Sequence, residues 1–91
     1  MSAPQVGDLF TLKRSMLGNP EGALGVVFYD YGDGAQLIFP NGNYDGFSAE
    51  EQQEFLTPAG HAPSVAGYQF KNVITVGQDF SRGYWRKVFN G

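Results

Sequence analysis

Residues 21–46 read Glu-Gly-Ala-Leu-Gly-Val-Val-Phe-Tyr-Asp-Tyr-Gly-Asp-Gly-Ala-Gln-Leu-Ile-Phe-Pro-Asn-Gly-Asn-Tyr-Asp-Gly, and this stretch decides the fold. Two apolar runs, Ala23 to Tyr31 and Ala35 to Phe39, are separated by Gly32-Asp33-Gly34 and closed by Asn41-Gly42. The pattern is strand, tight turn, strand, turn. Both runs are apolar on both faces: Val26 and Phe28 alternate with Val27 and Tyr29, and Leu37 and Phe39 with Ile38. A hairpin wet on one side alternates apolar with polar residues. This hairpin is therefore covered on both sides, bent so that one strand serves two faces, or exposed as an aromatic surface for a partner.

Working outward, Val6 to Arg14 reads as a first strand and Ser15 to Gly22 as a turn-rich loop. Asn41 to Gly46 reads as a turn. Ser48 followed by Glu51 is a capping box, which predicts a short helix over Ala49 to Leu56, ended by Thr57-Pro58. Pro58 to Val65 reads as a linker, Tyr68 to Val76 as a fourth strand with a bulge near Lys71 to Val73, and Tyr84 to Phe89 as a fifth. The expected fold is mainly β: a small five-stranded barrel with one short α-helix inserted between strands 3 and 4, in a single domain over residues 1–91.

Composition agrees with a small β domain. Ninety-one residues with no cysteine exclude disulfide staples and thiolate metal sites. Eight Phe, five Tyr and one Trp must supply the buried area instead. Thirteen Gly and five Pro provide the turns. No apolar run is long enough to span a bilayer, and Met1 to Pro4 has no signal-peptide character, so the expectation is a cytoplasmic bacterial or phage-type protein.

The charge is unevenly spread. The net value of −3 hides a segment, Ser15 to Phe70, without Lys or Arg. It holds Glu21, Asp30, Asp33, Asp45, Glu50, Glu51 and Glu54, while residues 71–91 set Lys71, Arg82, Arg86 and Lys87 against Asp79. Either basic end strands pair beside an acidic centre, or the acidic face is presented to a basic partner.

Val6-Gly7-Asp8-Leu9-Phe10-Thr11-Leu12, followed by Gly22-Ala23-Leu24-Gly25-Val26-Val27, resembles the opening of a KOW- or Tudor-type SH3-like barrel. In those families a Gly-Asp opens the first strand and a glycine starts the second at a sharp bend. The resemblance reaches as far as Pro40 and implies a barrel that acts as an interaction module. The chain departs from it in having no cation within these two stretches and in carrying a helix that the minimal barrel lacks.

Asn41-Gly42-Asn43-Tyr44-Asp45-Gly46 has oxygen ligands at alternate positions, as a calcium loop does. It begins with Asn41 instead of an aspartate and reaches Gln52 where a bidentate glutamate is needed. A glycine-rich turn is the better reading. His61, the single histidine, has no Cys or His to share a metal and no acid nearby in sequence. No phosphate loop, dinucleotide fingerprint or nucleophile elbow is present, so neither enzyme activity nor a cofactor is expected.

Aromatic residues on a small β scaffold anchor interfaces as well as filling cores. Tyr29, Tyr31 and Tyr44 are the expected outside members, since a tyrosine hydroxyl tolerates water. The leading expectation is a non-enzymatic module binding a protein partner, or its own copy, through Tyr29, Asp30, Tyr31, Asp33, Tyr44, Asp45, Glu50, Glu51 and Glu54. One alternative is a phage- or mobile-element-type inhibitor whose carboxylates imitate nucleic acid. The other is nucleic-acid binding through Lys71, Arg82, Arg86 and Lys87, with Trp85 and Tyr84 as a stacking platform.

Overall fold

A computed structural model describes residues 4–90. Five strands form one antiparallel sheet: β1 (Asp8–Leu12), β2 (Leu24–Asp30), β3 (Gly34–Ile38), β4 (Tyr44–Ser48) and β5 (Leu56–His61). Helix α1 (Ala49–Phe55) joins β4 to β5, and α2 (Val73–Ser81) and α3 (Arg86–Asn90) follow. The order across the sheet is β4-β3-β2-β1-β5, so the last strand returns to pair with the first. The sheet stays open, because β4 and β5 are its two edges.

The central hairpin is covered on both sides. On one face Val27, Ala35, Leu37, Phe39 and Phe47 pack with Phe10, Leu12 and Leu56, a cluster to which all five strands contribute. On the other, Val26, Phe28 and Ile38 pack with Val65, Val76 and Trp85, which come from the chain after β5. Each large apolar side chain so buried contributes about 1.5–3 kcal/mol. Gly25 admits the first core by lacking a side chain: a Cβ there would lie 2.6 Å from Phe39 Cε1.

A bulge in β2 decides which aromatic residues face the second cluster. The register steps from Val27↔Leu37 to Tyr29↔Gln36, leaving Phe28 as the extra residue. An inserted residue lets two successive side chains share a face. Phe28 and Tyr29 both reach Phe70, with ring centroids 5.6 and 4.6 Å away.

The elements after the hairpin differ from the sequence expectation. Tyr44–Ser48, whose first three residues read as the end of a turn, is a strand, so α1 lies between the fourth and fifth strands and not the third and fourth. Its capping box forms as expected: Glu51 N donates to Ser48 Oγ and Ser48 N to Glu51 Oε1. The expected linker Pro58 to Val65 contains most of β5, and Pro58 is tolerated there because β5 is an edge. Neither C-terminal segment is a strand. Asn72 caps α2 by accepting from Thr75 N at 2.9 Å. Helical spacing then buries Val76 completely and leaves Ile74 71% exposed, although a strand would set them on one face. The bulge expected near Lys71 to Val73 is likewise absent, and register shifts occur in β2 and at Leu9/Phe10 of β1.

The Asn41–Asn43 turn serves as a clasp. Leu17, held at a φ of +54°, accepts through its carbonyl from the side-chain amides of Asn19, Asn41 and Asn43 at 3.2, 2.9 and 2.6 Å. These amides tie the β1–β2 loop to the β3–β4 turn. Among the described residues there is no group of three His, Cys, Asp or Glu side chains placed to hold a metal ion.

Candidate protein-binding face

The helices cover only part of the sheet's second face. Beyond them β2, β3 and β4 present Tyr29, Gln36, Tyr44 and Gly46, with Tyr31 turned back from the hairpin tip. Tyr29, Tyr31 and Tyr44 are 36, 40 and 41% exposed. Tyr29 lies 6.3 Å from Tyr31 between ring centroids, and Tyr44 meets Phe28 edge-on at 6.1 Å. Phe70, half-buried, marks the border with the covered part.

Two glycines set the pose of Tyr31. A Cβ on Gly34 would stand 2.5 Å from its hydroxyl oxygen, and one on Gly46 3.3 Å from it. The ring therefore lies across β3 and β4 where side chains are missing. Its hydroxyl titrates above the usual tyrosine value, through desolvation first and then through Asp33, Glu51 and Asp45. The phenol is a neutral donor at physiological pH, set among three carboxylates.

Asp45 and Glu51 also protect the open edge. Gly46 N donates to Asp45 Oδ1 at 2.8 Å, and Ser48 N donates to Glu51 Oε1 at 2.9 Å. Residues two apart in a strand turn their N–H groups to the same side. Two donors of the β4 edge are thus already taken, which opposes addition of a sixth strand. What this face offers is side chains and not a free strand edge.

Of the nine residues expected to carry partner binding, the structure brings Tyr29 and Tyr31 together and sets Asp33, Glu51 and Asp45 near enough to raise the Tyr31 pKa, although strand alternation turns Asp45 to the Leu37 side of β4. Tyr44 lies farther along the same face, beside Phe28. Asp30 is occupied in the hairpin turn, where its Oδ1 accepts from Gly32 N at 2.9 Å. Glu50 and Glu54 are exposed on α1. The sequence reading missed a cleft of about 830 Å³ beyond the hairpin tip, lined by Phe10, Leu56, Pro58 and Gln52 and sharing Asp33 and Gly34 with the tyrosine face. It depends on β5, the strand largely hidden in the apparent linker; the one sequence signal was the apolar Leu56 at its start.

Among the described residues no Lys or Arg lies within 4.0 Å of a carboxylate, and the one imidazole–carboxylate contact is His61 Nδ1 with Asp8 Oδ1 at 2.8 Å. Arg14 sits over the Phe55 ring, 4.9 Å from its centroid. Lys71, Arg82, Arg86 and Lys87 are exposed on the C-terminal segment, but Trp85 is not available for stacking as expected. It is 1% exposed and packed between Tyr68 and Tyr84 at 5.0 and 4.9 Å, anchoring the helical cover. No helix is long and apolar enough to cross a membrane among the described residues. Comparisons of the chain with protein-family models, with curated proteins and with solved structures each found no match.

Proposed function

We propose that the protein is a non-catalytic interaction module that holds a cationic segment of a protein partner on the Tyr29–Tyr31–Tyr44 face. The observation that carries this reading is Tyr31, a half-exposed ring whose hydroxyl end lies over two glycines, close enough to Asp33, Glu51 and Asp45 for their charges to raise its pKa, with no Lys or Arg within 4.0 Å of those carboxylates among the described residues. An Arg or Lys side chain suits that setting, since its stem covers the ring and its head meets the carboxylates. Each cation–π contact contributes about 0.5–2 kcal/mol, depending on how far water is excluded. The fold reading that goes with it is a small SH3-like barrel left open between β4 and β5. The return of β5 to β1 and the one cluster to which all five strands contribute support it. The nucleic-acid-mimic alternative draws less support, because three carboxylates grouped about a tyrosine make a short stretch of a phosphate ladder.

Selection from a random peptide library tests the proposal. Wild-type protein should enrich sequences with Arg or Lys beside apolar residues, and the Tyr29→Ala/Tyr31→Ala variant should not. No enrichment, or the same enriched sequences on both proteins, would overturn it.

A further inference from the structure

The cleft of about 830 Å³ opens where the sheet is open, between the hairpin tip Gly32-Asp33-Gly34 and β5, with α1 bridging the two. Its walls are mainly apolar. Phe10 and Leu56 belong to the first core and are nearly closed off, so the accessible apolar surface comes from Pro58, which is exposed, and half-buried Ala49. Three charged side chains border the cleft: Asp8, Lys13 and Asp33. Two of them are engaged. Asp8 Oδ1 meets His61 Nδ1 at 2.8 Å and its Oδ2 accepts from Gln5 N at 2.8 Å, while Lys13 Nζ donates to the Gln53 carbonyl. Asp33 has no Lys or Arg within 4.0 Å among the described residues. It stands beside Gly34, which separates the cleft from the tyrosine face. Gly34 lines the cleft, and in the direction of its missing side chain a Cβ would stand 2.5 Å from Tyr31 Oη. The open charge of the cleft is therefore negative and lies at the tyrosine end.

Resting on the reading of the tyrosine face as a receptor for a cationic segment, we infer that the cleft takes a large apolar side chain of that same segment, set about three residues from its Arg or Lys. Crossing one layer of sheet takes about 10 Å, or three extended residues at about 3.3 Å each. The cation stays with Tyr31 and Asp33, and the apolar side chain displaces water from Pro58 and Ala49. The volume lies towards the upper end of ligand pockets and has room for a side chain together with the backbone that carries it. Lys13, the one cation among the lining residues, disfavours a second basic residue in the cleft. The partner is thus selected by a pair of side chains at fixed spacing, and not by positive charge alone.

The test titrates isotope-labelled protein with two end-capped peptides, Ser-Arg-Ser-Thr-Trp-Ser and the same sequence with Ser in place of Trp. The Trp peptide should shift Ala49 and the side-chain amides of Gln52 and Gln53 together with Tyr31 and Gly34, and should bind about tenfold or more tighter than the Ser peptide, which moves Tyr31 and Gly34 alone. Gln53→Trp, an exposed substitution that plugs the cleft and leaves the core intact, should bring the Trp peptide down to the affinity of the Ser peptide without changing the latter. Equal binding of the two peptides, no shift at Ala49 and Gln52, or an undiminished advantage in Gln53→Trp would overturn the inference. So would tryptamine, an indole and a cation without the chain, if it filled the cleft as tightly as the Trp peptide. Equal binding that Tyr31→Ala still abolishes removes the cleft alone and supports the tyrosine-face reading, whereas binding indifferent to Tyr31→Ala removes both.

Discussion

Gly34 shows how much one missing side chain can organise. A Cβ there would meet Tyr31 Oη at 2.5 Å and the Phe47 carbonyl at 2.7 Å, and the carbonyl cannot swing aside as a side-chain tip can. Gly34→Ala should cost about 1–3 kcal/mol in chemical denaturation, the range for overpacking, and should dislodge Tyr31 from the face. Gly67, with nothing within 4 Å and no positive φ, is the control, and its alanine variant should stay within about 0.5 kcal/mol of wild type. Tyr68 gives a second prediction at this scale. Its hydroxyl donates to Asp79 Oδ2 at 2.8 Å, and its pKa is raised above the ordinary 10.0 by burial first, then by that bond and by the Asp79 charge. A group whose folded pKa is raised contributes stability that is complete below its unfolded pKa and lost as pH climbs towards the folded one. Unfolding free energy should therefore decline above about pH 10. Tyr68→Phe should flatten that decline and cost about 1 kcal/mol at neutral pH.

At the scale of elements, the decisive question is what covers the second face of the hairpin. The two-faced apolar pattern of Val26 to Tyr29 and Leu37 to Phe39 was legible in the sequence and left a cover, a sharp bend or an exposed aromatic surface as its explanations; the structure supplies a cover over part of the face. The identity of the cover was not legible. Ile74 and Val76 stand two apart in a β-rich composition, and Val73, Val76 and Phe80 stand at helical spacing in the same stretch; tertiary packing chose the helix. The Ser48/Glu51 box located α1 because capping is local chemistry. The strands either side of α1 were hidden for opposite reasons, β4 by its Asn-Gly-rich start and β5 by Pro58 and Gly60. The candidate face divides in the same way. The exposure of Tyr29, Tyr31 and Tyr44 follows from residue type, but the grouping of Asp33, Asp45 and Glu51 around Tyr31 needs the β3–β4 pairing. The helical register of α2 has a direct test. Val76→Ala should cost about 2 kcal/mol as two buried methyl groups are lost, while Ile74→Ala should be close to neutral in the same denaturation assay. Equal costs would favour a strand.

Across the whole molecule, charge and apolar surface are sorted into separate regions. The acidic centre and basic C-terminal segment make no Lys or Arg ion pair among the described residues. The covered part of the second sheet face supplies stability, and the uncovered part supplies the tyrosines and carboxylates proposed to receive a partner. The most direct test of that claim is chemical-shift mapping of a selected cationic peptide on the labelled protein. The account predicts the largest shifts at Tyr29, Tyr31, Gly34, Asp45 and Gly46, with affinity falling as salt is raised through the physiological range. Shifts concentrated on Arg82 to Asn90 instead, or binding that Tyr31→Ala leaves unchanged, would contradict it.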